Sequence, residues 1–358
     1  MNITREEALS LVQWYRKNKR DLPWRSTQDP YSIWISEIML QQTRIETVIG
    51  YYLRFKEALP SLKDLACCPE DRLMKLWEGL GYYSRARNMQ KCARHLADHG
   101  MDGLPASYEA LLQLPGIGSY TAGAVSSIAF GIPCPAVDGN VLRVLARLFA
   151  VRDDIRSDAV KHRMEEIIRA FYTDNPDLSS DPGFVSAFTQ GLMELGALVC
   201  VPNSVPRCVQ CPWAGTCRAL AQDAVEYIPF RSAGKARRIV PMTVFIIYDE
   251  ECIALQRRPD KGLLAGMYEF PNVQGHLSKE ECTEHLQKLG CTVLHAEPLP
   301  DRKHIFTHLE WHMKAWKVCT DRIPEGFLAV PFRAFPDYAL PSAFEEYRKA
   351  ALTGNVVC

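Results

Sequence analysis

Through residue 228 the apolar side chains recur at helical spacing, and from residue 241 onward strand-like segments take over, with a clear period of two at Leu309–Ala315. A helical stripe and a pleated strand bury their apolar faces in different layers, so the change of period requires two differently built domains. In the first part Trp34, Ile38, Ile45, Val48, Tyr52 and Phe55 share a helical face, in a segment opened by Asp29-Pro30 and closed by Pro60. That segment reads as one long helix. Further helical patterns are predicted near 69–78, 82–98, 107–113, 119–130, 140–150, 157–172 and 184–198. Residues 229–240, with Pro229, Ser232, Gly234, Lys235, Arg237 and Arg238, read as a linker. Beyond it Met242–Tyr248 is strand-like, Asp249-Glu250 turns, and Cys252–Arg257 runs back as a hairpin. Glu280–Leu289 fits a helix, and Leu309, Trp311, Met313 and Ala315 alternate with His308, Glu310, His312 and Lys314. The expected fold is α + α/β in two domains: an all-helical domain over 1–228, the linker 229–240, and a small α+β domain over 241–358.

With 358 residues, 47% of them hydrophobic, the chain can fill two ordinary cores, and no stretch reads as membrane-spanning. Its 42 basic and 42 acidic side chains cancel, so bulk charge names no partner. Locally the balance differs. Arg16, Lys17, Lys19, Arg20 and Arg25 stand against Asp21 alone, and Arg85, Arg87, Lys91 and Arg94 have no acid among them. A solvated helix face accounts for either run equally well. The N-terminus opens on a charged amphipathic segment without an apolar signal region, which points to a reducing intracellular compartment where disulfides are not expected. Nine of the thirteen cysteines, including Cys67, Cys92, Cys252 and Cys358, are scattered. Cys200, Cys208, Cys211 and Cys217 instead crowd into eighteen residues, and four such thiols point to a metal: zinc or an iron–sulfur cluster.

Two further stretches carry chemistry. In Leu114-Pro-Gly-Ile-Gly-Ser-Tyr-Thr-Ala-Gly123 a helix ends, Gly116 and Gly118 form a tight turn, and a small-residue helix begins. Such a turn aims backbone N–H groups outward and suits a phosphate, although an ordinary helical corner has the same glycines. Twenty residues after Gly118, Asp138 precedes a helical run. It is a good N-cap, and a carboxylate in that place is expected to stay ionised. Glu37, in Trp34-Ile-Ser-Glu-Ile-Met-Leu-Gln-Gln-Thr43, shares a face with Trp34, Ile38 and Gln41. Burial there would raise its pKa, whereas a glutamate at the edge of the face would reach water.

The hairpin stretch resembles the helix-hairpin-helix of the endonuclease III superfamily of DNA glycosylases, and Asp138 stands where that superfamily carries its catalytic aspartate. The phrase from Ser36-Glu37 through Leu40-Gln41-Gln42-Thr43 is similar to the signature of MutY-type adenine DNA glycosylases. The resemblance implies that Glu37 protonates adenine and that Asp138, with Tyr120 and Asn140, stabilises the cationic sugar. It implies that Trp24, Arg25, Leu40 and Gln190 line an adenine pocket, that Gln42 and Tyr82 enter the duplex, and that Gly116 and Gly118 grip a phosphate. Lyase members of the superfamily carry lysine where this chain has Tyr120, which cannot form an imine, so base removal without strand cleavage is implied.

The four cysteines resemble the superfamily's [4Fe–4S] loop. The usual first gap of six residues is seven here, Val201–Arg207, while the gaps of two and five fit. The cluster would be structural, folding a loop that carries Arg207 and Arg218 toward DNA. The C-terminal domain resembles the Nudix-like fold appended to MutY-type proteins, with Gln287 and Lys288 in place of the paired glutamates of a pyrophosphohydrolase. Its Phe306-Thr307-His308 resembles the loop that recognises 8-oxoguanine, where serine is commoner than Thr307. The implied partner is duplex DNA holding adenine opposite 8-oxoguanine or guanine, bound by a monomer with no membrane attachment. The rival readings are a thymine- or guanine-mismatch enzyme, an endonuclease III-like lyase, and a lesion binder without catalysis.

Overall fold

The structure, a computed structural model, describes residues 1–202, 204–234 and 236–352. Lys235 of the linker stretch and Cys358 lie outside the described residues. The chain divides into two compact units, one of residues Met1–Cys67 with Asn88–Ala233, the other of Cys68–Arg87 with the chain from Gly234 onward. No helix among the described residues is long and apolar enough to cross a membrane.

Helices come first: α1 Arg5–Asn18, α2 Pro30–Leu40, α3 Ile45–Ala58, α4 Leu62–Cys67, α5 Glu70–Trp77, α6 Ser84–Asp98, α7 Tyr108–Leu112, α8 Ser119–Ala129, α9 Gly139–Leu148, α10 Asp158–Asp174, α11 Pro176–Ser179, α12 Pro182–Leu198 and α13 Arg218–Ala221. The main core joins α1, α9, α10 and α12 through Leu11, Val141, Leu145, Phe171, Phe188 and Leu195. Phe171 stacks on Phe188 at 4.9 Å between ring centroids. A second, smaller cluster sets Ile33 of α2 against Ala124 and Ile128 of α8 and against Ala136. Gly123 makes this packing possible: a Cβ there would lie 1.9 Å from the carbonyl oxygen of Pro135. The close approach of α8 to residues 135–136 delivers the chain to Asp138.

The expected long helix over 30–59 is in fact two, α2 and α3, broken at residues 41–44. Its apolar face continues across the break, which is why periodicity alone joins the halves. The backbone turns because Gln42 takes a left-handed φ of 59°.

In the second unit, β1 Arg238–Tyr248, β2 Cys252–Arg257, β3 Tyr268–Glu269, β4 Asn272–Gln274, β5 Val293–Ile305, β6 Leu309–Thr320 and β7 Leu328–Pro331 form one sheet, with α14 Lys279–Lys288 and α15 Glu345–Leu352. Its order is β3-β2-β1-β6-β5, with β4 on β1 and β7 on β2. β1 and β6 run parallel, with Val244 opposite Ala315, while β5 and β6 are antiparallel. Alternation along β1 sends Met242, Val244 and Ile246 into a core with Phe335, Phe344 and Tyr347, and Phe245 and Ile247 into one with Cys282 and Leu286 of α14. Both faces are therefore covered. β1 starts at Arg238, so the end of the stretch read as linker is already strand.

Candidate functional site

α2 begins at a proline whose preceding Asp29 caps it, accepting from the N–H groups of Tyr31 at 3.3 Å and Ser32 at 3.0 Å. Nine of its eleven residues are buried. It is therefore an interior helix with no water-facing side, and Glu37 is only 6% exposed. The reading in which Glu37 reaches solvent does not hold.

Two other elements end beside it. Tyr120, in the first turn of α8, donates its hydroxyl hydrogen bond to Glu37 Oε2. Sequence reasoning grouped this tyrosine with Asp138; its hydrogen bond goes to Glu37. Asp138 is the N-cap of α9: its Oδ1 accepts from Asn140 N at 2.9 Å and Val141 N at 2.8 Å, and its Oδ2 accepts from Asn140 Nδ2 at 2.8 Å. Glu37, Tyr120, Asp138 and Asn140 line one cavity of about 480 Å³, together with Trp24, Arg25, Leu40, Gln42 and Gln190. The break after α2 is what brings Gln42 to its wall.

Burial sets the electrostatics. It pushes the Glu37 carboxyl up to about 7, helped by the nearby Asp138 and opposed by the Tyr120 hydrogen bond and by Arg25. The Tyr120 hydroxyl is raised well above its ordinary value by burial and by the two carboxyls, so it keeps its proton. Asp138 departs from expectation. Burial raises its pKa, and the bonds from Val141 and Asn140 and the charge of Arg143 only work against that rise. Cap bonds seen in sequence say nothing of how completely the rest of the fold removes water.

Sequence reasoning missed Glu194. This carboxylate on α12 has a side chain 1% exposed and lies one helical turn from Gln190 on the same cavity. Burial would raise its pKa, but Arg25 and Arg20 overcome that and hold it at about 2. The i, i+4 spacing of Gln190 and Glu194 was the available signal.

The hairpin lies between α7 and α8. Gly116 takes φ 76°, and a Cβ there would lie 2.5 Å from Asn88 Cβ. Gly118 is the N-cap of α8 and supplies no capping side chain. Lys161 of α10, also missed in the sequence, donates to Ser119 Oγ at 3.0 Å and so sets a cation beside this helix start.

Cys200, Cys208, Cys211 and Cys217 line one small cavity of about 30 Å³. Among the described residues no three His, Cys, Asp or Glu side chains close on a single-ion position. Burial raises the thiols of Cys208, Cys211 and Cys217, Cys211 to about 12, and the adjacent sulfurs add to the rise. Arg147 donates to Cys200 Sγ at 3.2 Å, and Arg143 to the Cys200 carbonyl at 2.7 Å. The seven-residue gap closes through Arg207 N to Val199 O at 3.0 Å. The ring of soft donors with a cationic brace fits a metal cluster, since four thiolates so placed need positive charge between them. Arg218 lies over the Phe149 ring at 5.9 Å.

In the second unit Phe306, Thr307 and His308 form the turn between β5 and β6, closed by Phe306 N to Leu309 O at 2.8 Å. Phe306 packs edge-on to Trp311 at 4.8 Å. The Thr307 and Tyr82 hydroxyls are 3.1 Å apart, and both line a cavity of about 660 Å³. Tyr82 is 47% exposed and has φ 47°. On α14, Gln287 and Lys288 supply no carboxylate.

Residues 35–170 match the model of the helix-hairpin-helix superfamily of base excision DNA repair proteins, and residues 243–350 match a Nudix domain model. An adenine DNA glycosylase of Mus musculus is 35% identical over 378 residues, covering 88% of this chain and 71% of that protein. One of Homo sapiens is 33% identical, covering 96% and 71%. The solved structure of a thermostable thymine-DNA glycosylase superposes with a TM-score of 0.51 at 28% identity, covering 60% of this chain and 95% of its own. With similarity running through most of both sequences, and through both the helical and the sheet unit, this chain belongs to the adenine DNA glycosylase family.

Proposed function

We propose that the protein hydrolyses the N-glycosidic bond of an adenine mispaired with 8-oxoguanine or guanine in duplex DNA. The observation that carries this reading is a single cavity holding a buried carboxyl that keeps its proton to about pH 7, Glu37, and a capped second carboxyl, Asp138. A pair of carboxyls in unlike surroundings suits departure of a leaving group from a sugar, one giving a proton and the other facing the developing cation.

The target base must leave the stack to reach such a cavity. Gly116, Gly118 and Lys161 would hold a phosphate, and Gln42 and Tyr82 would fill the vacated space. Within the cavity, lined by Trp24, Arg25, Leu40 and Gln190, Glu37 gives its proton to N7 of adenine. Cleavage of the bond to C1′ leaves an oxocarbenium ion, which the Asp138 carboxylate stabilises, with Asn140 orienting that carboxylate. Water then adds. No lysine lines the cavity among the described residues, which supports base removal without a Schiff base. Cys200, Cys208, Cys211 and Cys217 would hold a [4Fe–4S] cluster, whose contribution when bound is to fold its loop. Protein purified without oxygen is expected to be brown and to contain about four irons per chain. A colourless protein with one zinc would refute the cluster.

Chemistry is assigned to residues 1–228 and partner-strand reading to 241–358, joined through 229–240. The test is single-turnover release from duplexes with adenine opposite 8-oxoguanine, guanine, cytosine and thymine. Release fastest opposite 8-oxoguanine is expected; equal rates on all four, or no adenine release, would refute the reading. Joint replacement Phe306→Ala, Thr307→Ala and His308→Ala is expected to retain adenine release and to shrink the ratio of rates opposite 8-oxoguanine and guanine. An unchanged ratio would remove this loop from the reading role.

A further inference from the structure

Arg25 bonds to one carboxyl group and shares a cavity with another, the two carried by different helices. On one side, Glu194 of α12 accepts from Arg25 Nη1 at 2.8 Å and Nη2 at 2.7 Å. The same carboxylate accepts from Arg20 through its backbone N at 2.8 Å, Nε at 3.0 Å and Nη2 at 2.6 Å. Arg25 also donates to the Arg20 carbonyl at 3.0 Å and lies 5.6 Å from the centre of the Tyr15 ring. On the other side, Arg25 lines the cavity with Glu37 and acts on it through space.

We propose that Glu194 is a positioning residue of this site: it holds Arg25 by both terminal nitrogens and offsets its charge, so that the cation shapes the cavity wall without drawing the proton off Glu37. The inference rests on the acid role assigned to Glu37 above. A link between the connector at residues 19–25 and α12 made only for stability would not need an ion at all, because buried pairs are often matched or bettered by apolar residues. A cation on the cavity wall has a further cost. Among the described residues the groups that act on Glu37 are Tyr120 from α8, Asp138 at the start of α9 and the cation Arg25, while Arg20 and Glu194 line the same cavity. Left uncompensated, the charge of Arg25 favours the carboxylate of Glu37, the form that cannot protonate adenine. Glu194 offsets part of that bias while Arg25 keeps its place, and Arg20 holds Glu194 in turn.

The experiment measures single-turnover adenine release by the full-length protein from about pH 5.5 to about pH 9, reading the ratio of rates on the two sides of the alkaline limb. Packing defects lower both rates and leave the ratio alone. In Glu194→Gln the limb is expected to move to lower pH by roughly one unit, an approximately fivefold loss in the ratio of the rate near pH 8 to that near pH 6. Glu194→Asp is expected to restore part of it. An unchanged ratio in folded Glu194→Gln would overturn the proposal. Where that variant does not accumulate, Arg25→Gln removes the cation and leaves Glu194 its Arg20 partner. Its limb is expected to move upward, and an unmoved limb would likewise overturn the proposal. Wild-type release by Glu37→Gln would instead overturn the acid assignment beneath it.

Discussion

Glu37→Gln is expected to slow single-turnover adenine release by on the order of 10²–10⁴-fold, the usual worth of a positioned general acid. Binding to the mispaired duplex should survive. The amide fills the same volume, and its oxygen can still accept from Tyr120, so the cavity keeps its shape; what is lost is the acidic proton assigned to the base. In the wild-type protein the same group sets a pH limit. Glu37 is raised to about 7, so the active, protonated form is present below that pH and is lost as pH rises through it. Release should fall by about tenfold per pH unit above the limb, and the limb should vanish in the variant. Stability should move the other way. A carboxyl whose folded pKa exceeds its unfolded value of 4.5 stabilises the fold at acid pH and loses that contribution as pH rises toward 7. Above pH 7 the variant should therefore melt no lower than the wild type. Near-normal release by Glu37→Gln would remove the residue from its role.

Asp138→Asn is expected to lower release by on the order of 10²–10³-fold, the scale found when a charge-stabilising group is removed from an active site. The structural cost should be small by comparison. Asparagine is nearly as good an N-cap as aspartate, and a cap change costs about 1 kcal/mol or less. Its one oxygen can still accept from Asn140 N and Val141 N, whereas the bond from Asn140 Nδ2 to Oδ2 is lost. The two effects separate by measuring release and thermal unfolding on the same preparation. A rate that falls only as far as the folded fraction falls would make Asp138 a cap and nothing more.

The sequence by itself determined most of the helices and strands and the kinds of residue that carry the chemistry, while the grouping of Cys68–Arg87 with the chain from Gly234 onward has no signal in it. The helix starts were legible because Asp29-Pro30 and Asp138 act through bonds to N–H groups two or three residues away, a local interaction that needs no partner from afar. The alternation along β6 was legible for the same reason, since side-chain direction in a strand has period two, whereas β1 reads as an apolar run because both of its faces are covered. Tertiary structure alone decided the rest. A continuous apolar face gave no warning of the break at residues 41–44, because Gln42 turns the backbone without interrupting the stripe. The meeting of Glu37, Tyr120 and Asp138 depends on three helix ends reaching one cavity, which no spacing along the chain encodes. Burial then set their proton affinities. It raised Glu37 as its apolar helix face suggested, but it also raised Asp138 against its cap bonds, because desolvation depends on every segment packed around a group. Glu194 shows the same limit: its partners Arg20 and Arg25 lie far away in sequence, and only the packing of α12 against the start of the chain makes the three one network.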